Sequence, residues 1–339
     1  MSIKRPSLAK IAETLGVSGC TVSVVLNNRD KQARINPETA KRIRDYCRSI
    51  GYRPNIHTRR MQSKIVRNVM FYSSSYAGTA HIDNIVAGLL GGILQRAAEE
   101  KVTITMRCGD MKNAEEMIFD SFRSREIDGL ILYGIDVPDN WLDIIRNESR
   151  HVVGINMAGC DCIQTVNIDN FEISRRMTEA YLIERGRKNF IYLGGTVLSK
   201  PGNDRCAGFK KALEDHNITL DENRIFTCNF DPELADRCVS EYLDTHTDLP
   251  DAIVCANDLM AAAVVELLKK RNISVPEQIA VTGGDGIDAV RYLSPKLTGF
   301  DCQPIQLGSA AFDLLWRKIN GSNEKDIVLP GVLTRGESV

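Results

Sequence analysis

The stretch LGVSGCTVSVVLNN, from Leu15 to Asn28, decides how the N-terminal part of the chain folds. None of its fourteen residues is charged, although Lys10 precedes them and Arg29 and Lys31 follow them. Hydroxyl and amide side chains are interspersed with small apolar ones. The spacing of the apolar residues around this stretch indicates why an uncharged segment lies in a basic region.

Two helices separated by a glycine are predicted here. Ser7 can cap a first helix, which Gly16 ends, and Ser18 can cap a second helix that runs to about Leu26. Apolar residues recur at helical spacing on one face of each helix: Leu8, Ile11, Ala12 and Leu15, then Val22, Val25 and Leu26. Two helices joined by such a turn form a helix-turn-helix, whose second helix enters the major groove of DNA.

A third helix is predicted after Asn36, with Pro37 at its first helical position and Gly51 at its end. Its inward residues are expected to be Ala40, Ile43, Cys47 and Ile50. Three helices with one apolar face each can bury a common core. Residues 1–52 are therefore expected to form an all-α domain and not a disordered basic tail.

A recognition helix needs small hydroxyl, amide and methyl groups against the base edges and cations beside it for the phosphates. Ser18, Thr21 and Ser23 supply the hydroxyls, and the cations flank the stretch: Lys4, Arg5, Arg29, Lys31 and Arg34. Residues 1–64 contain 14 Lys plus Arg against 4 Asp plus Glu, whereas the remaining residues contain 29 against 40. This asymmetry predicts that nucleic acid contacts one end of the molecule only.

These segments resemble a known DNA-binding head. VSGCTVSVVLNN (17–28) and INPETAKRIRDYCRSIGYRPN (35–55) are similar to the head of the LacI (lactose-repressor) family of bacterial transcription regulators, whose pattern is V-S-x-x-T-V-S-R-V-L-N followed by L-G-Y-x-P-N. The resemblance implies double-stranded operator DNA as partner. It also implies these DNA-binding residues: Ser7, Ser18, Gly19, Cys20, Thr21, Ser23, Val24, Asn27, Arg29, Lys31, Asn55, Arg59 and Met61.

One departure from the family pattern bears on base specificity. Val24 stands where the family usually has Arg, and the two variable base-reading positions are Gly19 and Cys20. An arginine bidentate to guanine contributes roughly 1–3 kcal/mol of discrimination, which valine cannot replace. We expect this helix to read thymine methyls and DNA shape more than guanine edges. The alternative is that these residues are merely tolerated and specificity arises elsewhere.

The segment 53–66 is expected to be a hinge linker. In the family it becomes a short helix on DNA, pairs with its dimer mate and wedges a leucine into the minor groove; Met61 takes that position here, with Arg59, Arg60 and Lys64 around it. The alternative is a solvated basic linker. Away from DNA we expect the latter, because so short a helix without packing is unstable in water.

The cysteine content and the hydropathy of the sequence indicate the cellular compartment. The ten cysteines are scattered, several in apolar runs, which indicates buried thiols in a reducing environment. Cys160 and Cys162 form one close pair without a second pair at zinc-ligand spacing, so neither a metal site nor a cofactor is predicted. No apolar run of about 18 residues or signal-peptide core occurs, and a cytoplasmic protein without membrane contact is expected.

From residue 67 onward, apolar strands alternate with amphipathic helices, which predicts parallel sheets covered by helices. The predicted strands are 69–73, 102–106, 129–133, 152–155, 166–168, 190–193, 225–228, 252–255, 279–282 and 299–302. About 270 residues exceed one such sheet. Two α/β lobes with a ligand cleft at the strand carboxyl ends are therefore expected.

The body continues the resemblance. VNIDN (166–170), RCAGF (205–209), AIVCANDLMAAAV (252–264) and LSPKLTGFDCQP (293–304) are similar to that family's type I periplasmic-binding-protein-like regulatory core. The resemblance implies a core of residues 67–339, with lobe 1 at about 67–165 and 298–326 and lobe 2 at about 166–297 and 327–339, so that the chain crosses between lobes near 166, 297 and 327.

The same resemblance implies an effector site for a small molecule, with a sugar-like ligand expected and a purine-like ligand as the alternative. Its residues would be Tyr76, His81, Ile82, Asp169, Arg205, Phe230, Asn257, Asp258 and Asp285. Arg205 and Asp285 could instead form a purely structural salt bridge. Gly284 and Gly286 replace the family's aromatic residue and second aspartate, and GTAHI (78–82) replaces S-N-P-F-F, so the pocket does not match a known sugar site.

Together these features predict an all-α helix-turn-helix head followed by an α/β two-lobed core. The resemblance implies a homodimer that reads a two-fold symmetric operator and acts as a repressor under effector control. An exported sugar-binding protein would share the body but would need a signal peptide and would lack the head. A nucleotide-dependent enzyme would want GxGxxG or GxxxxGK[ST], whereas only glycine doublets occur at 194–195 and 283–284. The chain is therefore not expected to be an enzyme.

Overall fold

The structure is a computed structural model that describes residues 7–27, 30–52, 68–74, 84–109, 114–134, 137–148, 150–322 and 324–339. The chain consists of two units, residues 1–66 and 67–339. The first unit contains three described helices, α1 (Leu8–Leu15), α2 (Gly19–Leu26) and α3 (Pro37–Ser49).

Each of these helices buries one face in a common core. The core residues are Ile11, Ala12, Val22, Val25, Ala40, Ile43 and Cys47, all at most 5% exposed. Ile50 was predicted to point inward but is 36% exposed. It follows the last helical residue, Ser49, as the C-cap, so the helical periodicity no longer determines its direction.

The helix ends have the predicted caps. Ser7 Oγ accepts a hydrogen bond from the Lys10 amide (3.2 Å), and Ser18 Oγ accepts one from the Thr21 amide (3.0 Å). Gly16 ends α1 in the left-handed conformation, with φ of 65°. The two helices meet at an angle of 106°. A helix-turn-helix within a three-helix bundle is confirmed.

The second unit alternates strands and helices. In chain order its elements are β1 (Asn68–Ser74), α4 (Asn84–Glu100), β2 (Thr103–Gly109), α5 (Ala114–Arg123), β3 (Gly129–Tyr133), α6 (Asp139–Asn147), β4 (Val152–Ile155), β5 (Gln164–Ile168), α7 (Asn170–Tyr181), β6 (Phe190–Gly194), α8 (Lys200–Asp215), β7 (Ile225–Thr227), α9 (Pro232–Thr245), β8 (Ala252–Cys255), α10 (Asp258–Lys270), β9 (Ala280–Thr282), β10 (Gly299–Asp301), α11 (Pro304–Ile319), β11 (Ile327–Leu329) and β12 (Val332–Thr334). Short 3-10 turns lie at Ile183–Arg185, Glu222–Arg224 and Asp288–Tyr292.

These strands form two sheets, one for each lobe. The first has the order β11-β5-β4-β3-β1-β2, and all of its pairs are parallel. The second has the parallel order β7-β6-β8-β9 and is extended by the β10–β12 pair through single bridges from Thr282 to Thr298 and from Asp285 to Asp301. The strands β1, β3, β4, β6 and β8 are largely buried and mostly apolar, which explains why the sequence showed them as short hydrophobic runs.

The chain crosses between the two sheets three times. It leaves the first sheet after Ile168, returns to its helix α11 at Pro304, and leaves again between Leu329 and Val332. The predicted crossings near 166, 297 and 327 are therefore a few residues early. The reason is pairing: β5 and β11 pair within the first sheet, Ile168 against Leu329, whereas β10 pairs with β12 in the second. Residues 298–301 thus belong to lobe 2 and 327–329 to lobe 1.

Helices α4 and α11 lie against each other on the first sheet and approach very closely. A Cβ atom on Gly92 would lie 1.9 Å from the Ile305 carbonyl oxygen, and one on Gly308 would lie 2.1 Å from the Leu89 carbonyl oxygen. The absence of these Cβ atoms allows backbone-to-backbone contact. This pair joins the segment after the second crossing to the start of lobe 1.

Within the part of the chain that the structure describes, no single helix has the length and hydrophobicity to span a bilayer. Only the helix pair Leu8–Leu15 and Gly19–Leu26 has that length and hydrophobicity when the two helices are taken together, and this pair is bent by 106°.

Candidate functional site

The start of α2 presents small uncharged groups on the surface of the head. Ser18, Gly19 and Cys20 are exposed, whereas Val22 and Val25 are fully buried and hold the helix against the core. Other predicted DNA-binding positions on this helix, Thr21, Ser23, Val24 and Asn27, are half-buried. The N-terminal end of the second helix is therefore available to a base-pair edge, as in a helix-turn-helix.

The hydroxyls on this helix already have partners that orient them. Ser18 Oγ and Thr21 Oγ1 lie 2.9 Å apart and share a hydrogen bond, while Ser18 Oγ also caps the helix. Asn27 Nδ2 donates to Ser23 Oγ at 3.5 Å. Groups held in one rotamer lose less entropy on contact with DNA than free ones.

Basic side chains also tie the head together. Arg44 pairs with Asp30 (2.6 Å) and holds the pKa of that carboxyl below its ordinary value, and Arg42 Nη2 donates to the Leu15 carbonyl (3.0 Å). Ser7 and Lys31, both predicted DNA-binding residues, are exposed. The remaining predicted DNA-binding residues lie outside the described residues: Arg29, Asn55, Arg59 and Met61.

In the second unit, Arg205 is the centre of a buried polar network at the carboxyl ends of the second sheet. It lies on α8 and is 6% exposed. Its Nε donates to Asn170 Oδ1 (2.9 Å), and its Nη1 donates to Asp285 Oδ1 (3.0 Å), the Gly284 carbonyl (3.2 Å) and the Ala256 carbonyl. The guanidinium thus connects four chain segments that border the cleft.

Two further contacts of Arg205 come from the second crossing. Its Nη2 donates to Cys302 Sγ (3.0 Å), and its guanidinium lies over the Phe300 ring, 5.0 Å from the centroid. A Cβ atom on Gly284 would lie 2.4 Å from the same ring. Phe300 therefore fills the space beside position 284, where the family usually has an aromatic residue.

Asp285 is held on several sides. The Asp285 amide donates to the Phe300 carbonyl and the Cys302 amide donates to the Asp285 carbonyl, both at 3.0 Å. Burial raises the pKa of the Cys302 thiol to about 12, so it keeps its proton and can donate to the Asp285 carboxylate at 4.0 Å. Arg205, Asp285 and Cys302 form one coupled unit at the second crossing.

Asn257 and Asp258, both predicted effector contacts, have hydrogen-bond partners within the chain. Asp258 is 2% exposed, and its Oδ2 accepts from the Gly286 and Ile287 amides at 2.8 and 2.9 Å. Asn257 is 7% exposed; it caps α10 through the Met260 amide (2.9 Å) and donates to the Phe230 carbonyl (3.3 Å). These bonds fix the two side chains in the loops after β8 and β9. Their direct contact with an effector stays a prediction.

Phe230 packs on lobe 2. A Cβ atom on Gly195 would lie 2.2 Å from its ring, so the ring covers this glycine. Asn229 and Phe230 both have positive φ, 53° and 60°, a conformation that costs non-glycine residues about 1 kcal/mol or more each. The turn is stabilised by Asp231, which caps α9 at the Glu233 and Leu234 amides.

Asp169 is exposed at the first crossing, where it caps α7 through the Glu172 amide (3.0 Å). Its own amide donates to the Leu329 carbonyl (3.1 Å), which ties the first crossing to the third. Tyr76, His81 and Ile82, the predicted contributions of lobe 1, lie outside the described residues.

Sequence reasoning missed four residues of this network: Asn170, Phe300, Cys302 and Gln303. Gln303, with φ of 50°, donates from its Nε2 to the Pro330 carbonyl and so joins the second crossing to the third. All four stand within or beside the segments VNIDN and FDCQP that carried the resemblance. For Asn170, Cys302 and Gln303, a polar residue just after a strand at a predicted crossing would have been the signal; Phe300 lies within β10 and had no such signal.

Carboxylates outnumber cations in the described part of this cleft. Asp169, Asp285 and Asp301 stand against Arg205, and Lys200 at the start of α8 is paired with Asp204. An excess of carboxylates disfavours anionic ligands and favours neutral ones rich in hydrogen-bond donors.

Comparison with known proteins agrees with both units. Residues 7–55 match the model of the bacterial regulatory proteins of the lacI family, and residues 180–339 match the periplasmic binding protein-like domain. Catabolite control protein A of Staphylococcus xylosus is 28% identical over 331 residues, which cover 95% of this chain and 94% of that protein. The HTH-type transcriptional repressor PurR of Pasteurella multocida is 25% identical over 328 residues, 95% of each chain.

Solved structures show the same fold. The lac repressor dimer bound to operator and the anti-inducer ONPF has a TM-score of 0.84 at 18% identity and covers 99% of both chains. The complex of the transcriptional regulator CelR with cellobiose has a TM-score of 0.73 at 24% identity and covers 99% of this chain and 100% of that one. The head and the two-lobed core thus occur together in proteins of known architecture.

Proposed function

Because the chain belongs to the lacI family of bacterial regulatory proteins, we propose that it is a dimeric transcriptional repressor whose affinity for operator DNA is set by a small molecule bound in the cleft of its core. The observation that carries the DNA-binding role is the exposed, uncharged start of α2, which meets α1 at 106° within a cationic head. Two heads on a dimer read a two-fold symmetric site, since one head alone contacts too little groove.

The ligand that suits the cleft is a neutral, hydroxyl-rich molecule of the sugar class. Arg205 and Asp285 lie side by side and present a donor and an acceptor, and Asp169 adds an exposed carboxylate on the first crossing. The excess of carboxylates among the described residues opposes a phosphorylated ligand. The cellobiose in the CelR complex is a neutral sugar of this class.

A thermal-shift screen of matched pairs tests the ligand class. A ligand that binds only the folded state raises the melting temperature by mass action. We expect a neutral sugar to raise it and its phosphorylated form to leave it unchanged. Asp285→Asn should abolish the shift, whereas Asp288→Asn, on the exposed 3-10 turn nearby, should keep it. A response to the phosphorylated sugars alone would contradict the proposal.

The ligand acts on DNA binding through a difference in affinity between two states of the dimer. A coupling of roughly 1–3 kcal/mol gives 5-fold to 150-fold control of operator affinity.

We further propose that the protein has no catalytic activity and acts in the cytoplasm, where its ten free cysteines stay reduced. The similar proteins are regulators, which supports the first part.

A further inference from the structure

A cluster of sulfur and oxygen ligands lies outside both proposed sites, in the turn between β4 and β5. Cys160 Sγ and Cys162 Sγ are 3.3 Å apart. An oxygen of the Asp161 carboxylate and the two sulfurs all lie within 4.8 Å of one another. The sequence showed only that two cysteines lie two positions apart. In the structure, three potential metal ligands lie around one point.

The turn that carries them is held from both sides. The Cys160 amide donates to the Ile163 carbonyl (3.1 Å), which closes the turn. From α11, Lys318 Nζ donates to the Cys162 carbonyl (3.4 Å) and the Val152 carbonyl (3.1 Å). The backbone of the ligand turn is thus fixed to the edge of the first sheet before any ligand binds.

The carboxylate is held as well. Arg146 Nη2 donates to Asp161 Oδ1 (2.7 Å) and its Nε donates to Asp161 Oδ2 (3.1 Å). Carboxylates that ligate metals are commonly oriented by such a partner, and each oxygen keeps a second lone pair for a cation. The Asp161 side chain is 70% exposed, so the cluster is open to solvent.

The distance between the sulfurs favours a cation over a disulfide. With metal–sulfur bonds of about 2.3 Å, tetrahedral coordination separates two thiolates by about 3.8 Å. A disulfide needs about 2.05 Å. The two sulfur atoms, observed 3.3 Å apart, must separate by about 0.5 Å to coordinate a metal ion. To form a disulfide they must approach each other by more than 1 Å.

We propose that Cys160, Asp161 and Cys162 bind one soft divalent cation of the zinc and cadmium class, with water as the fourth ligand. Each thiol releases its proton to solvent on binding, so two thiolates and one carboxylate face the cation. Their three negative charges exceed the positive charge of Arg146 and Lys318, the two cationic side chains placed here against this turn. Thiolate ligands select this class over magnesium and calcium.

Titration of the reduced full-length protein with Cd²⁺ tests the proposal. Thiolate coordination of Cd²⁺ produces an ultraviolet charge-transfer band. We expect each chain to bind one equivalent of Cd²⁺ tightly, and we expect Zn²⁺ to displace this Cd²⁺. Cys160→Ser and Cys162→Ser should each lose this equivalent. Cys108→Ser is the matched control, because Cys108 is a single half-buried thiol on β2 of the same sheet; it should keep the equivalent.

A second variant separates ligation from general thiol reactivity. Arg146→Gln keeps both thiols but removes the group that orients Asp161, and we expect it to weaken Cd²⁺ binding about tenfold. The proposal is overturned if either serine variant binds Cd²⁺ as tightly and in the same stoichiometry as Cys108→Ser, or if the reduced wild-type chain takes up no tight equivalent.

Discussion

Arg205 connects the ligand cleft to the second crossing through one guanidinium. Its partners come from α7, from the loop after β8, from the loop after β9 and from Cys302. A ligand that competes for Asp285 or Arg205 must therefore disturb the contacts at the second crossing between the lobes. We therefore propose that this side chain serves both ligand binding and the conformational response.

Removal of this guanidinium should destabilise the core strongly. Arg205→Ala removes the guanidinium from its buried ion pair with Asp285, and loss of one member of a buried ion pair costs about 3–5 kcal/mol. Urea unfolding measures the free energy. Arg291→Ala, which removes an exposed pair with Asp288, should change it by less than about 0.5 kcal/mol. Equal effects of the two variants would contradict the assigned network.

Asp258 should give the core a distinctive pH dependence. Burial raises the pKa of its carboxyl to about 6, above the ordinary value near 3.8, although the Ile287 and Gly286 amides oppose this shift. The folded state then holds the proton more tightly than the unfolded state. The resulting stabilisation is fully present below about pH 4 and is lost as the pH rises through 6.

The measurement is unfolding free energy against pH for the wild type and for Asp258→Asn, which cannot titrate. We expect the stability of the wild type relative to this variant to fall by roughly 2–3 kcal/mol between pH 4 and pH 7. A difference that stays constant over this range would show that the carboxyl has an ordinary pKa in the folded state.

At the scale of elements, the contact between α4 and α11 depends on glycine. A Cβ atom on Gly92 would overlap the backbone of Ile305, so Gly92→Ala must push the helices apart and should cost about 2 kcal/mol or more. Gly91 on the same helix has no atom within 4 Å of its would-be Cβ. Gly91→Ala should therefore stabilise the protein by about 0.5–1 kcal/mol, and thermal unfolding of the two variants decides the matter.

The recognition helix can be tested with two substitutions at one position. Ser18→Ala removes the cap and should cost the head about 1 kcal/mol. Ser18→Asp keeps a capping oxygen but places a negative charge where DNA is expected. For Ser18→Asp we expect near-normal helix content by circular dichroism together with loss of duplex binding. Retained DNA binding in Ser18→Asp would place the interface elsewhere.

Most elements could be predicted from the sequence because their apolar residues are local signals. The three head helices and the strands 129–133, 152–155 and 252–255 have the predicted positions, since caps and short buried runs mark them directly. The strand β12 was missed because Val332 to Thr334 is short and only partly buried. Its pairing with β10 depends on residues about 30 positions away.

The cleft was harder to predict for the same reason. The resemblance implied Arg205 and Asp285 as effector contacts, with a structural salt bridge as the alternative, and they pair at 3.0 Å. The sequence could not indicate that the Phe300 ring occupies the space beside Gly284. This contact exists only because β10 lies beside the loop after β9 in the folded chain. Capping and backbone bonds of Asn257 and Asp258 likewise depend on three-dimensional contacts.

For the whole molecule, the charge asymmetry predicts how DNA binding responds to salt. If the dimer neutralises 6–10 phosphates, its affinity should fall about 10³-fold to 10⁵-fold between 50 and 200 mM salt. Lys31→Ala should make the slope of log affinity against log salt less steep by about 1 for each head, because Lys31 is exposed and follows the recognition helix in the sequence. Fluorescence anisotropy with a labelled duplex measures both, and an unchanged slope would exclude Lys31 from phosphate contact.

The most direct test of the account is selection of duplexes from a randomised library by the full-length protein at low ionic strength, followed by affinity measurement with and without a ligand from the thermal-shift screen. We predict enrichment of a two-fold symmetric sequence with half-sites about one helical turn apart, and a change of 5-fold to 150-fold in its affinity when the ligand is added. Failure to enrich any sequence, whether or not ligand is present, would contradict the account.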